Sequence, residues 1–181
     1  MTAVTAAPMD LDGFTLADLD ALPDDGLRYE LDDGCLVVSP PEVVRNASAA
    51  FQLGLLLAAE LDHRWRVVPN PGIAFGERDY RQPDLVVCRR DALSRKMAVP
   101  ADVLLVVEVM SPSSVRRDRL VKPSQYASAG IAHYWRLEPT DRVLVTHALD
   151  GDAYRETGRF TDEVAIEEPV HLSFPMGRLL D

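Results

Sequence analysis

Cysteine is nearly absent from this sequence: only Cys35 and Cys88 occur, with no C-x-x-C and no metal-type spacing. That excludes a disulfide framework and a thiolate zinc site. Each falls inside a predicted strand, so both are expected as small core thiols. A reducing compartment, cytoplasmic by default, is the matching expectation. Histidine is also sparse. His63, His133, His147 and His171 form no i,i+4 pair and no H-E-x-x-H, which excludes the common zinc-hydrolase arrangement. The two tryptophans, Trp65 and Trp135, suit a core better than a base-stacking platform. No apolar run approaches the roughly 20 residues that span a bilayer, so no membrane association is expected. The opening MTAVTAAPMDLDG has neither a basic region nor a long apolar core. It is expected as a flexible tail over 1–13 rather than a secretory signal, ahead of a single domain over 14–181.

Basic residues are outnumbered, 19 against 29 acidic, for a net charge of −10. Broad, non-specific binding to phosphate backbones is therefore disfavoured. A local basic groove is not. Arg89, Arg90, Arg95 and Lys96 form one cluster, and Arg116, Arg117, Arg119 and Lys122 another.

Periodicity and punctuation give one α/β domain with a mixed sheet and two main helices. Thr15 is placed to cap a short helix over 15–22. Asp33-Gly34 between two apolar stretches predicts a hairpin pairing 27–31 with 35–39. The stretch 43–64 is the longest predicted helix, with Val44, Ala47, Phe51, Leu55, Ala58 and Ala59 at helical spacing; with Leu53, Leu56 and Leu57 added, its apolar face is wide and expected to be substantially buried. Strands are expected at 65–68, 73–75, 84–88, 103–110 and 132–137, and an antiparallel C-terminal set at 143–149, 153–157 and 164–172. A helix is expected over 115–129, stopped by Gly130.

The chemistry concentrates between Gln82 and Glu138. Asp84 opens one apolar strand, and Glu108 is embedded near the end of another. A carboxylate buried in a strand needs a partner, a proton or a metal. If the two strands are neighbours, Asp84 and Glu108 can reach one cation. Two carboxylates about 4 Å apart repel by roughly 4 kcal/mol at an effective dielectric of 20, which a divalent cation reverses. Magnesium suits such oxygen ligands, and metal-assisted phosphodiester hydrolysis uses them with a lysine. Lys122, ahead of Pro123, is expected at a helix start or kink. Gln125 and Tyr126 lie three and four residues on, in reach of the same point. Ser111, Ser113 and Ser114 read as a turn and cap, since no G-x-S-x-G surrounds them.

Four segments together resemble the Uma-type restriction-endonuclease-like proteins of the PD-(D/E)XK nuclease superfamily. They are YELDDGCLVVSPP at 29–41, QPDLVV at 82–87, VVEVMSPSS at 106–114 and DRLVKPSQYASAGIAHYW at 118–135. The resemblance implies a mixed β-sheet core flanked by helices, with an N-terminal hairpin and C-terminal antiparallel strands. It implies Asp84 and Glu108 as ligands of Mg²⁺ (Mn²⁺ substituting), Lys122 as the catalytic lysine, and Glu30 as a further acidic residue. DNA is the implied substrate, contacted by Arg116, Arg117 and Arg119. A homodimer is expected by analogy, with the apolar C-terminal strands able to pair. Two positions depart from the pattern. The superfamily lysine two residues after the acid is Met110 here, so Lys122 would be its relocated equivalent. Many relatives carry histidine where Asn46 stands. Two alternatives remain open: a nuclease fold kept for binding or oligomerisation without cleavage, and a hydrolase of another phosphodiester.

Overall fold

The computed structural model describes residues 4–6, 13–111 and 121–181. In chain order the elements are β1 (Val4–Ala6), α1 (Leu16–Leu19), β2 (Arg28–Asp32), β3 (Cys35–Ser39), α2 (Val44–Glu60), β4 (Trp65–Pro69), β5 (Ile73–Gly76) and β6 (Asp79–Arg81). Then come β7 (Leu85–Arg89), β8 (Val103–Val109), α3 (Lys122–Ser128), β9 (His133–Glu138), β10 (Val143–Asp150), β11 (Ala153–Phe160), β12 (Glu163–Ile166), β13 (Leu172–Pro175) and α4 (Gly177–Leu180).

The central sheet runs β11-β10-β9-β8-β7-β4. Its strands pair antiparallel except β8 and β9, whose parallel register sets Glu108 against Arg136. Strand side chains alternate between faces, so this sheet separates two cores. On one face Leu85, Val87, Leu105, Val107 and Val109 pack with Ala49, Ala50, Leu53 and Leu57 of α2, and with Val164, Leu172 and Phe174 of the C-terminal hairpin. Leu53 and Leu57 are fully buried, each worth about 1.5–3 kcal/mol of apolar burial. Gly54 lets helix and sheet approach closely, for a Cβ there would stand 3.2 Å from a Leu85 methyl. On the other face Val86, Val106, Tyr126 and Tyr134 form a second core with Ile73 of β5. A second sheet, β1-β3-β2-β6-β5, carries the N-terminal hairpin. Asp33 and Gly34 both take positive φ at its turn, 47° and 76°, as a type I′ hairpin requires.

The mixed α/β architecture matches the sequence-based expectation, and several details do not. Of the wide apolar face expected for α2, Leu53 and Leu57 are buried and Leu56 partly so, but the first-named stripe is the outer one: Val44 is 87% exposed, Phe51 59% and Leu55 51%. Residues 46–59 contain no charge, so apolar periodicity could not set the helix's rotation. The small residues Ala49, Ala50 and Gly54 did, by permitting close approach to the sheet. Cys35 is exposed and only Cys88 is buried, because β3 begins at the solvated hairpin end. Of the strand expected over 164–172 only the start is strand, in β12; the chain then turns, and Leu172 opens β13, which pairs back on β12. Val4–Ala6, within the expected tail, pairs with β3 at the edge of the second sheet. The first part of the helix expected over 115–129 lies outside the described residues, and its remainder is α3.

Candidate active site

The site forms where β7 and β8 meet. Leu85 pairs with Val107, so Asp84 and Glu108 are the next opposed positions along the antiparallel pair. Asp84 is 4% and Glu108 1% exposed. Carboxylates this deep are costly unless their oxygens are satisfied. For Glu108 the donors come from α3. Lys122 Nζ lies 3.0 Å from Oε1 and 2.9 Å from Oε2. The Tyr126 hydroxyl donates to Oε1 at 2.7 Å. Lys122 and Tyr126 are four apart and share one face of α3. Pro123 is tolerated because it sits in the first turn, where its missing N–H has no helical partner. Burial, and then the Glu108 and Glu30 charges, push the Tyr126 phenol well above its usual range. It therefore stays a hydrogen-bond donor.

Glu30 completes this half from β2. Its Oε1 accepts from the Gln82 backbone N–H at 3.0 Å and lies 3.5 Å from Lys122 Nζ. Burial raises the Glu30 carboxyl, but Lys122, that amide, Arg81 and Arg28 outweigh it and leave the pKa below its usual value.

Asp84 is held separately. Its Oδ2 accepts from the Val109 backbone N–H at 2.7 Å, and its Oδ1 from Arg28 Nη1 at 2.9 Å. Arg28 also donates to Asn70 Oδ1 at 2.9 Å and lies 3.8 Å from Glu42 Oε2. Burial, with the Asp84 charge beside it, pushes Glu42 up to about 7. Asn46 Nδ2 donates to Glu42 Oε1 at 2.8 Å and to the Met110 carbonyl at 3.3 Å.

The sequence-predicted residues Asp84, Glu108, Lys122, Glu30 and Tyr126 thus converge. Gln125 does not, since its Nε2 donates to Asp79 Oδ1 at 3.2 Å, away from Glu108. Arg116, Arg117 and Arg119 lie outside the described residues. In the other basic cluster Arg89, Arg95 and Lys96 bond to Asp91, Asp102 and Asp20. Sequence reasoning missed Arg28 and Glu42. Both had a findable signal: Arg28 is two residues before Glu30 on the same strand face, and Glu42 is four before Asn46.

The donor chemistry suits a hard cation. The carboxyls of Asp84, Glu108, Glu42 and Glu30 offer oxygens only. Among the described residues no three His, Cys, Asp or Glu side chains form a ready cage, but magnesium needs only one or two carboxylates, the remainder being water and substrate. Asp84 and Glu108 meet that requirement. Also among the described residues, no helix is long and apolar enough to cross a membrane.

Among curated proteins no sequence matches this chain. A solved structure from Anabaena variabilis, titled as "a putative nuclease belonging to DUF820", superposes with a TM-score of 0.74 at 16% identity. The match covers 92% of this chain and 97% of that one, a likeness of fold. The Uma2 family, described as "Putative restriction endonuclease", matches residues 16–177. Spanning nearly the whole sequence, that match places the chain in the Uma2 family of restriction-endonuclease-like proteins.

Proposed function

We propose that this chain is a magnesium-dependent endonuclease that hydrolyses DNA phosphodiester bonds. One observation carries the reading: Lys122 bonds Glu108, which stands opposite Asp84 at the end of the β7–β8 pair. Asp84 and Glu108 would hold Mg²⁺, which supplies Lewis acidity and a more acidic water when bound. The chain's own groups do the positioning. Tyr126 fixes the Glu108 carboxylate from one side, and the Val109 amide fixes Asp84 from the other. Lys122, an ammonium between two carboxylates, is poorly suited to remove a proton. It is suited to neutralise charge developing on the phosphate and to orient a water. Glu30 holds that ammonium in place. Both thiols are free, which fits a reducing compartment such as the cytoplasm.

One observation favours the alternative, a nuclease fold retained as a binding module. Each oxygen of Asp84 and Glu108 already has a partner within the chain, Arg28 among them. Titration calorimetry with Mg²⁺ and Mn²⁺ separates the two. Heat that disappears in Asp84→Ala, with metal-dependent nicking of supercoiled plasmid, is the expected result. No carboxylate-dependent binding would remove the nuclease mechanism. Binding with cleavage of other phosphodiesters but not of plasmid or single-stranded DNA would redirect the substrate.

A further inference from the structure

We infer that Arg28, anchored by Asn70, is the side chain that grips a phosphate of the substrate. The inference rests on the endonuclease reading and deepens it, naming a phosphate-binding residue and the residue that positions it.

Among the described residues three cations gather at the carboxyls. The Lys122 side chain is 5% exposed and that of Arg81 2%. Lys122 is closed in by Glu108 and Glu30, and Arg81 by Asp32 and the Leu31 carbonyl. Arg28 is the reachable one, its side chain 18% exposed. Burial opposes its charge, but Asp84, Glu108 and Glu30 outweigh burial and hold the guanidinium above its usual range. A guanidinium presents its donors in a planar fork that matches two oxygens of a phosphate.

The two Nη atoms of Arg28 have different partners. Nη1 donates to Asp84 Oδ1 at 2.9 Å, a carboxylate that the proposed chemistry gives to the cation. Nη2 donates to Asn70 Oδ1 at 2.9 Å, a neutral amide outside the carboxyl set. When Asp84 is engaged by a cation, Nη1 loses its acceptor and Nη2 keeps its own. The guanidinium is then held by one edge beside the cation, and its other donors are available to a phosphate oxygen.

Asn70 can serve as that anchor because it is fixed to the site by its own backbone. Its N–H donates to the Asp84 carbonyl at 3.1 Å, and its carbonyl accepts from Gln82 Nε2 at 3.2 Å. It takes a φ of 49°, which Asn tolerates better than most residues with a side chain. Pro69 and Pro71 flank it, and their fixed φ stiffens the turn. In a chain of net charge −10, one well-held guanidinium beside a cation supplies what a broad basic surface does not.

Fluorescence anisotropy of a labelled DNA duplex, titrated with the full chain in Ca²⁺ and in EDTA, tests this beside calorimetry with the same cation. Ca²⁺ takes the same oxygen ligands. The wild type is expected to bind the duplex more tightly in Ca²⁺. Arg28→Gln should lose about tenfold or more of that affinity. Its slope of log affinity against log salt should fall by about 0.9, one phosphate contact. Its affinity for Ca²⁺ itself should be unchanged or higher, whereas a merely structural role would lower both. Arg28→Lys should keep the salt slope and recover only part of the affinity. Asn70→Ala should weaken duplex binding severalfold, and adding it to Arg28→Gln should cost nothing more. Melts in EDTA establish that each variant is folded. An Arg28→Gln protein that binds the duplex in Ca²⁺ as tightly as wild type, or losses that add in the double variant, would overturn the assignment and leave the endonuclease reading standing. Calorimetry that finds no Asp84-dependent cation binding in the wild type would remove that reading, and the assignment with it.

Discussion

Asp84 and Glu108 are opposed across a strand pair, yet each carboxylate is held by a different cation: Arg28 for Asp84, Lys122 for Glu108. Among the described residues the carboxyls of Glu30 and Glu42 also gather at these two cations, with Arg81 acting on Glu30 as well. The surplus negative charge is felt at Glu42, which burial and Asp84 together raise to about 7. On the proposed chemistry a divalent ion supplies the missing charge, and Arg28 is the side chain placed to yield to it.

Arg28→Gln should therefore weaken the metal-free protein and strengthen its response to metal. Losing the 2.9 Å bond leaves a 5% exposed Asp84 side chain short of one donor, at a cost of about 1–3 kcal/mol. Because a ligand stabilises by its binding to the folded state, the Mg²⁺-induced rise in Tm should be larger in the variant. Thermal melts in EDTA and in Mg²⁺ measure both. An equal or smaller rise than in wild type would show that Arg28 does not compete with the cation.

The two donors to Glu108 should not be equivalent. Lys122→Met leaves Glu108 and Glu30 buried without their shared cation, a loss of about 3–5 kcal/mol. Tyr126→Phe removes one hydrogen bond to a charged acceptor, about 1.5–3 kcal/mol, and keeps the ring in its core. Urea unfolding should order them accordingly. Plasmid nicking should vanish with Lys122→Met and persist at reduced rate with Tyr126→Phe. A Lys122→Met protein as stable as wild type would contradict the buried ion pair.

The two thiols should react at different rates. Cys35 is exposed and Cys88 is 3% exposed. Burial, with Asp102 and Asp91 nearby, also pushes the Cys88 thiol up, leaving little thiolate. A chromogenic disulfide reagent should titrate one thiol in the native protein and two in denaturant. Cys35→Ser should abolish the native signal. Two fast native thiols would mean that β7 is more open than its packing indicates.

The parts of the site legible in the sequence were those with a local physical conflict. Glu108 in a branched-aliphatic strand demanded a partner, and Lys122 before Pro123 pointed to a helix start or kink; Glu108 has its partner, and Lys122 is the first residue of α3. Arg28 and Glu42 left only a spacing signal, because their meaning is tertiary. Neither conflicts with its neighbours in sequence, and only folding brings β2 and the entry to α2 against Asp84. The rotation of α2 was left open for a different reason. Apolar periodicity finds one face only when the other is polar, and 46–59 carries no charge to mark it. Turn chemistry was more dependable, since Asp33-Gly34 permits one tight geometry and the hairpin follows from it.

Acid should weaken the fold through His147. Its Nδ1 lies 3.1 Å from the Tyr134 carbonyl, and its ring centroid 5.6 Å from that of Tyr134 and 6.4 Å from that of Tyr154. Bonded to a carbonyl, that nitrogen carries the proton of a neutral ring. Burial lowers the His147 pKa from its ordinary 6.5, with Arg136 and Arg159 adding to the effect and Tyr134 and Glu156 opposing it. The sign follows from linkage. Below 6.5 the unfolded chain binds a proton that the folded chain does not, so this contribution is full above that pH and lost as pH falls through the folded pKa. His133, also lowered by burial, acts in the same direction and remains as background. His147→Phe keeps the ring contact and removes the titration. Between about pH 7.5 and 5.5 its unfolding free energy should therefore fall less than that of wild type. Equal losses in the two proteins would show that His147 is not held neutral by the fold.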